Sequence, residues 1–293
     1  MSLTKEAAIT YSGLIVLSVI WGMAFVAIKE AVQGLSPVNL ALMRWLIASV
    51  FFLALFPILG KSKAKLERRD IPRLLLVAFA NVAGYHISLN YAETSISAGL
   101  SGLLISFGPV FVVVLSVLLL NEKAGPKVLL ALLLAIFGTL VLSIGSISAN
   151  DLSSLYGPVE VVLSALFYAL FSVLGKPLVQ KYGSGPTTIR AGLLGTAMML
   201  PLLSTSFLSQ VESLPLDGWI SVLYLSIIST VLGYMLFYTL VSRRAVSRLS
   251  IQLYLAPIVS VVGGALLLNE SVTTFFAIGG AMMLAAVALA TMR

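Results

Sequence analysis

Cysteine is absent from this chain, and histidine occurs once, at His86. The first absence excludes disulfides, thiol nucleophiles and thiolate metal sites. The second leaves no basis for a histidine-built metal centre, so neither a metal nor a cofactor is expected. Charge is scarce as well: 10% of residues are Asp, Glu, Lys or Arg, where soluble domains carry about 25%. The chain also lacks the motifs of common enzymes. It has no Gly-x-x-x-x-Gly-Lys-Ser/Thr loop, which excludes an ATP-driven pump in this chain. It has no Gly-x-Ser-x-Gly elbow and no His-Glu-x-x-His pair, and no nucleophile–base constellation stands out, so an enzyme is not expected.

What fills the chain instead is apolar: 59% of 293 residues are hydrophobic, and the mean hydropathy is +1.08. A soluble fold of this size needs a polar surface that such a composition cannot supply. Lipid is therefore the solvent for most of the chain. The net charge of +7 would otherwise suggest nucleic acid, but the basic residues sit in short segments between apolar runs, where membrane topology explains them.

One stretch occurs twice. Pro109–Glu122 reads PVFVVVLSVLLLNE, and Pro257–Glu270 reads PIVSVVGGALLLNE, 148 residues later without a gap. Chance matches valines and leucines, but it rarely places Pro, Asn and Glu at one offset as well. The chain is read as two homologous halves, 1–148 and 149–293.

A membrane-crossing helix needs about 20 apolar residues. Ten such stretches are expected: 9–29, 36–59, 71–92, 95–119, 126–147, 156–177, 186–206, 217–240, 246–268 and 273–292. The first has no small-residue cleavage pattern and reads as a retained span. Most of the 18 basic residues, including Lys61, Lys65, Arg68, Arg69, Lys123, Lys181, Arg243 and Arg244, fall on one side of this arrangement. The positive-inside rule makes that side, with both termini, cytoplasmic. Five helices per half is an odd number, so the second half enters the membrane inverted. Inverted repeats of this kind recur in secondary transporters, with the solute site near the midplane between the halves.

The first helix carries Trp21-Gly22-Met23-Ala24-Phe25-Val26-Ala27-Ile28-Lys29. Pro37 and Arg44-Trp45 follow, and the fourth and ninth helices carry the two Pro…Leu-Leu-Leu-Asn-Glu blocks. Together these resemble the EamA-type branch of the drug/metabolite transporter superfamily, over essentially the whole chain. Asn121 and Asn269 stand where that family usually has Gly, and Phe167-Tyr168-Ala169 stands where it often has Trp-Ala. The resemblance implies ten helices around a central cavity, alternating access, and export of small polar metabolites, often amino acids or their relatives. Small multidrug members of the superfamily rely on a membrane-embedded Glu in the first helix. Here the first helix, read as 9–29, has no acidic residue before Glu30, so a drug/proton antiporter built on that carboxylate is not expected.

Several groups are candidates to line the cavity. Gly102, Ser106 and Pro109 fall on one face of the fourth helix, and Ser250, Tyr254 and Pro257 are their counterparts on the ninth. Each proline removes a backbone donor, so the pair reads as kinks beside a wet cavity, or as structural kinks only. His86, Asn90 and Glu93 share a face of the third helix, with Asn81 opposite. His86 is a candidate proton carrier or a single interhelical hydrogen bond. Arg44 needs a partner inside the membrane. It reads as a substrate-carboxylate anchor or, more simply, as an ion pair with Glu30, Glu93 or Glu160. Trp21 and Phe25 share a face. So do Tyr168, Ser164 and Ser172, and so do Tyr224 and Tyr238 with Tyr234 nearby. These rings either accept apolar parts of a substrate or pack. Lys29 reads as an interface anchor or gate. Glu122 and Glu270 read as local caps of the helices that follow them. The stripes Ala131, Ala135, Gly138 and Ala277, Ala281, Ala285 suit close contacts between repeats or subunits, compatible with a homodimer.

The expected function is a secondary transporter exporting amino acids or related metabolites across the plasma membrane. Its partners would be a small solute and the bilayer, with no nucleic acid. A sugar-phosphate or nucleotide-sugar exchanger would want at least two cavity cations. A non-transporting accessory subunit would have its centre packed shut.

Overall fold

The computed structural model describes residues 3–62, 64–120, 126–146, 155–243 and 250–291, and among these every regular element is helical. The first two rods are α1 (Leu3–Ala31) and α2 (Pro37–Leu59). The third runs from a 3-10 turn at Arg68–Asp70 through α3 (Ile71–Ala78) and a π-helical stretch (Phe79–Gly84) into α4 (Tyr85–Ser95). The fourth is α5 (Ala98–Leu104), a 3-10 turn (Ile105–Phe107) and α6 (Gly108–Leu120). Next come α7 (Pro126–Ser146), α8 (Tyr156–Tyr182) and α9 (Ser184–Met199), with the short α10 (Phe207–Glu212) in the connection that follows. The eighth rod joins α11 (Leu216–Leu223), a π-helical stretch (Tyr224–Leu232) and α12 (Gly233–Arg243). Helices α13 (Ser250–Leu267) and α14 (Thr274–Thr291) complete the chain.

Among the described residues, six helical stretches are long and apolar enough to cross a membrane: 12–31, 37–59, 68–95, 98–119, 156–182 and 216–240. Three further apolar helices are shorter, at 133–142, 255–267 and 274–286. Burial is inverted relative to a soluble protein. Val50, Leu53, Ile58, Leu118, Leu133, Leu140 and Leu266 face outward, while Asn39, Arg44, Asn81, His86, Asn90 and Glu93 are buried. Water on the outside would penalise that distribution and lipid rewards it. The protein is thus an all-helical, multi-pass membrane protein.

Local chemistry sets several boundaries. Ser36 caps α2, accepting from Asn39 N at 3.4 Å, and Pro37 takes the first helical position, where its missing N–H has no cost. Ser97 caps α5 by accepting from Leu100 N at 3.1 Å. Gly183 stands between α8 and α9 at φ +96°. Residues with a Cβ rarely adopt that angle, and it lets α9 start at once. Pro109 stands just after a 3-10 turn that interrupts the fourth rod, whereas Pro257 sits inside the unbroken α13. The expected pair of kinks is therefore seen as a break in one repeat only.

Repeat counterparts meet across the centre: α2 packs on α9, α5 on α13 and α7 on α14. The partners run antiparallel. Gly138 of α7 lies against Met283 of α14, while Gly279, one turn earlier in α14, lies against Leu142. On α7 the buried stripe is Ala131, Ala135 and Gly138, as the small-residue spacing suggests. On α14 the contact instead uses Gly279, Met283 and Ala286, and the Ala277–Ala281–Ala285 stripe faces outward. The two π-helical stretches also correspond, because Phe79–Gly84 shifted by one repeat falls on 227–232.

Two apolar clusters fill the interior. One gathers Leu14, Trp45, Phe52, Phe171, Leu178 and Tyr182 towards the end marked by Lys181. The other gathers Phe25, Ile28, Leu35, Leu40, Leu100 and Phe107 towards the end marked by Lys29. The candidate site lies where they meet.

Candidate functional site: an aromatic pocket with one cation

Helical spacing on α1 brings Trp21, Ala24, Phe25 and Ile28 to one face. That face meets Arg44 from α2, Tyr85, His86 and Leu89 from α4, Tyr168 and Phe171 from α8, Ser229 from the second π-helical stretch, and Tyr234 from α12. The space left between these side chains is about 20 Å³, room for about one water molecule. An organic solute would enter only after the walls separate.

Among the described residues Arg44 is the only one of the lining with a permanent charge. Its Nε donates to Thr230 Oγ1 at 2.7 Å, and its Nη2 donates to Ser229 Oγ at 3.1 Å. The π-helical turn makes this possible by widening the helix. Thr230 Oγ1 itself donates to Leu225 O, five residues back, at 2.8 Å. The expected carboxylate partner is thus replaced by two neutral hydroxyls. Among the described residues, the ion pairs within 4 Å all involve the Glu67, Arg69, Asp70 and Lys181 cluster. The Arg44 charge is buried and oriented, and among the described residues no carboxylate lies within ion-pair distance of it.

Rings form the rest of the wall. Trp21 Nε1 donates to Ser229 O at 3.1 Å, and its ring lies 5.4 Å from that of Tyr234. The Tyr234 hydroxyl and His86 Nε2 are 3.3 Å apart. Tyr85 stands edge-on to His86 at 4.8 Å, and Phe171 lies 6.0 Å from Tyr234.

Of the side chains singled out in the sequence, the pocket brings together Trp21, Phe25, Arg44, His86, Tyr168 and Tyr234. Asn90 is elsewhere, donating to Pro37 O at 2.9 Å at the start of α2. Ser106 turns back on its own helix toward Gly102 O at 3.4 Å. Ser172 lies one turn past Tyr168 and outside the lining. Tyr238 packs on Phe237 and against Gly175. The π-helical stretch breaks the regular count between Tyr224 and Tyr238, so they do not share a face. The Tyr224 hydroxyl donates to Ile20 O at 2.8 Å. Pro257 is buried within α13, its carbonyl accepting from Ser260 Oγ at 2.9 Å. The side chains of Pro109, Ser250 and Tyr254, and all of Glu122, lie outside the described residues.

Tyr85, Phe171, Ser229 and Thr230 were missed. The available signal was the pair of adjacent hydroxyls, Ser229-Thr230, in an otherwise apolar run, and Tyr85 beside the only histidine. Lys29 donates to Glu93 O at 2.7 Å and Ile96 O at 2.8 Å. Glu270 does not cap the helix after it. Its carboxylate accepts from Ala98 N at 2.6 Å and Gly99 N at 2.9 Å, capping α5 in the other repeat.

Comparison with known proteins agrees with this architecture. The model of the EamA-like transporter family matches twice, at residues 8–144 and 155–292. A protein of Archaeoglobus fulgidus described as an uncharacterized transporter is 34% identical over 90% of this chain and 92% of its own length. A probable terminal-alkyne amino-acid exporter of Streptantibioticus cattleyicolor is 28% identical, covering 96% of this chain and 92% of that protein. A probable amino-acid metabolite efflux pump of Escherichia coli K12 is 24% identical, covering 91% and 89%. A crystal structure only 16% identical shares the fold, with a TM-score of 0.61 over 97% of this chain and 96% of the other.

Proposed function

Because the chain belongs to the EamA-like transporter family, we propose that it exports small metabolites, amino acids or related compounds, across the plasma membrane by alternating access. In this reading ten spans form two inverted repeats, 1–148 and 149–293, with both termini cytoplasmic. Solute binds between the repeats in the Arg44 pocket, among Trp21, Phe25, Tyr85, His86, Tyr168, Phe171 and Tyr234. The observation that carries the reading is Arg44 itself. A buried guanidinium held by Ser229 and Thr230 without a carboxylate is prepared for an anionic group from outside the protein, and its planar fork suits a carboxylate. The surrounding rings offer apolar surface to the rest of the solute. The names of the Streptantibioticus and Escherichia relatives support amino-acid chemistry. A sugar-phosphate exchanger would want a second cation in the lining, which the described residues do not supply.

In this reading the walls separate alternately at the two ends. Phe25, Ile28 and Leu89 part on the Lys29 side, and the interrupted fourth rod supplies a bend near Pro109.

The test is thermal stability of the purified protein in detergent against amino acids, amines, nucleosides and sugar phosphates. A ligand that binds only the folded state raises the melting temperature by mass action. Carboxylate-bearing compounds should raise it, and Arg44→Gln should abolish the rise. A response to amines alone, or one that survives Arg44→Gln, overturns the assignment of Arg44.

A further inference from the structure

Just beyond the Ile28–Leu89 edge of the pocket, a carboxylate is buried without support. Glu93 is fully buried, and neither of its carboxylate oxygens completes a hydrogen bond, although Lys29 lies beside it. The Lys29 ammonium is engaged elsewhere, donating to the backbone oxygens of Glu93 and Ile96 at 2.7 and 2.8 Å. The Glu93 carbonyl belongs to the last turn of α4 and Ile96 directly follows that helix, at an end where carbonyls lack helical partners and a cation is favoured. Two residues after Ile96 the next helix begins, and there Glu270 accepts from Ala98 N and Gly99 N at 2.6 and 2.9 Å. The α4–α5 turn is therefore held between a cation on one helix end and an anion on the other. Lys29 comes from α1 and Glu270 from the segment after α13. The clamp ties that turn to α1 and α13, two helices packed so closely that Gly22 of α1 has no room for a side chain against Val259.

An ionised carboxylate without hydrogen bonds is costly in a dry interior, so the clamped arrangement favours the neutral acid. Other ionisable groups nearby do not alter this. Glu270 is anionic, and Tyr85 lies on the same helix. On α8, Glu160 lies one turn past Gly157, which packs against Ser95 and Ala92. Among these groups Lys29 is the one available cation.

We propose that Glu93 is a proton-binding site that works this clamp. With the carboxyl protonated, Lys29 stays on the α4 carbonyls and the Lys29 end of the pocket is shut. On opening, the Glu93 O–H bond breaks, its electron pair stays on oxygen and the proton passes to water at that end. Lys29, still an ammonium, rotates from the backbone oxygen of Glu93 onto its carboxylate, and the α4–α5 turn is released. Acid therefore closes this end and alkali opens it. The proposal deepens the transporter reading at its gate. Its test needs no substrate, so it stands or falls separately from the choice of solute.

The chain has no cysteine, so a single Ala24→Cys places one thiol in the pocket. In liposomes, a membrane-impermeant charged thiosulfonate is applied from the Lys29 side. A single Gln33→Cys variant at an exposed position on that side fixes sidedness, and its labelling rate corrects for the thiol's own titration. The corrected rate at Ala24→Cys should rise with pH, by up to about tenfold per pH unit for a one-proton linkage. Adding Glu93→Gln should leave it slow and flat, Glu93→Asp should keep a pH dependence, and Glu270→Gln should speed labelling at every pH. A flat rate in the Ala24→Cys parent, or an unchanged pH dependence in Glu93→Gln or loss of it in Glu93→Asp, overturns the proposal.

Discussion

His86 and Tyr234 are each other's counterparts in the two repeats, 148 residues apart, and they meet, with the Tyr234 hydroxyl 3.3 Å from His86 Nε2. The third and eighth rods thus touch through equivalent positions at the centre of the molecule. Divergence has made the pair chemically unequal, and the same holds one turn away, where Arg44 reaches from α2 to Ser229 and Thr230. The π-helical stretches just before His86 and Tyr234 occur in both repeats, but only the second offers two hydroxyls to a guanidinium. Gly192 occupies the position matching Arg44 in the second repeat. Charge in the pocket is one-sided although the scaffold is duplicated.

The contrast between two tyrosines tests the first contact. Tyr234→Phe removes a hydroxyl that faces His86, leaving a buried ring nitrogen unpaired at a cost of about 1–3 kcal/mol. Tyr238→Phe removes a buried hydroxyl that has no partner, so it should be neutral or stabilising. Thermal melting of the two variants should separate them. Equal losses would remove any special role from the central pair.

Arg44 and Thr230 should be energetically coupled. A double-mutant cycle of Arg44→Met and Thr230→Val should show an interaction of about 1.5–3 kcal/mol, as for a hydrogen bond to a charged group. Additive single effects would mean that the 2.7 Å bond contributes nothing to the folded state.

Close approach of the fourth and ninth rods depends on Gly102. A methyl group there would stand 2.6 Å from Ser260 Cβ, and neither helix can yield without displacing its neighbours. Gly102→Ala should cost about 1–3 kcal/mol through overpacking. Adding Ser260→Gly should recover part of that stability, despite the intrinsic cost of a helical glycine. A double variant less stable than Gly102→Ala alone would locate the strain elsewhere.

These contacts also mark what could be read from sequence. The helical, lipid-facing character was legible because long apolar runs with sparse charge report lipid exposure directly, and among the described residues six of the expected stretches are long and apolar enough to cross a membrane. Arg44 and His86 were legible because polar groups in such runs must face inward. Arg44's real partners were not, because a carboxylate is the obvious complement and serines and threonines are unremarkable in membrane helices. The π-helical turns leave no local signature, so counting at 3.6 residues per turn joined Tyr224 to Tyr238 across one and mis-set their faces. Glu270 was placed on the following helix because sequence neighbours were the only ones visible. Its amide partners lie 172 and 171 residues away.

The Lys181 end carries a polar staple with its own pH signature. Lys181 bonds Glu67 at 2.6 Å and Asp70 at 2.7 Å, and the Tyr182 hydroxyl donates to Asp70. The Lys181 ammonium, hydrogen-bonded to its carboxylate, holds Glu67 below the usual carboxylate range, with Arg69 adding to the effect and partial desolvation opposing it. A carboxylate lowered in the folded state contributes stability that is complete above its unfolded pKa and is lost as pH falls through the folded one. Melting temperature should therefore decline on acidification more steeply in the wild type than in Glu67→Gln. The group is exposed, so the difference should be small and should shrink at high ionic strength. Asp70 still anchors Lys181 in the variant, which keeps the α3–α8 contact while the Glu67 share of the acid dependence is removed and the Asp70 share stays. Parallel acid limbs for the two proteins in low salt would show that Glu67 titrates alike in the folded and unfolded chains.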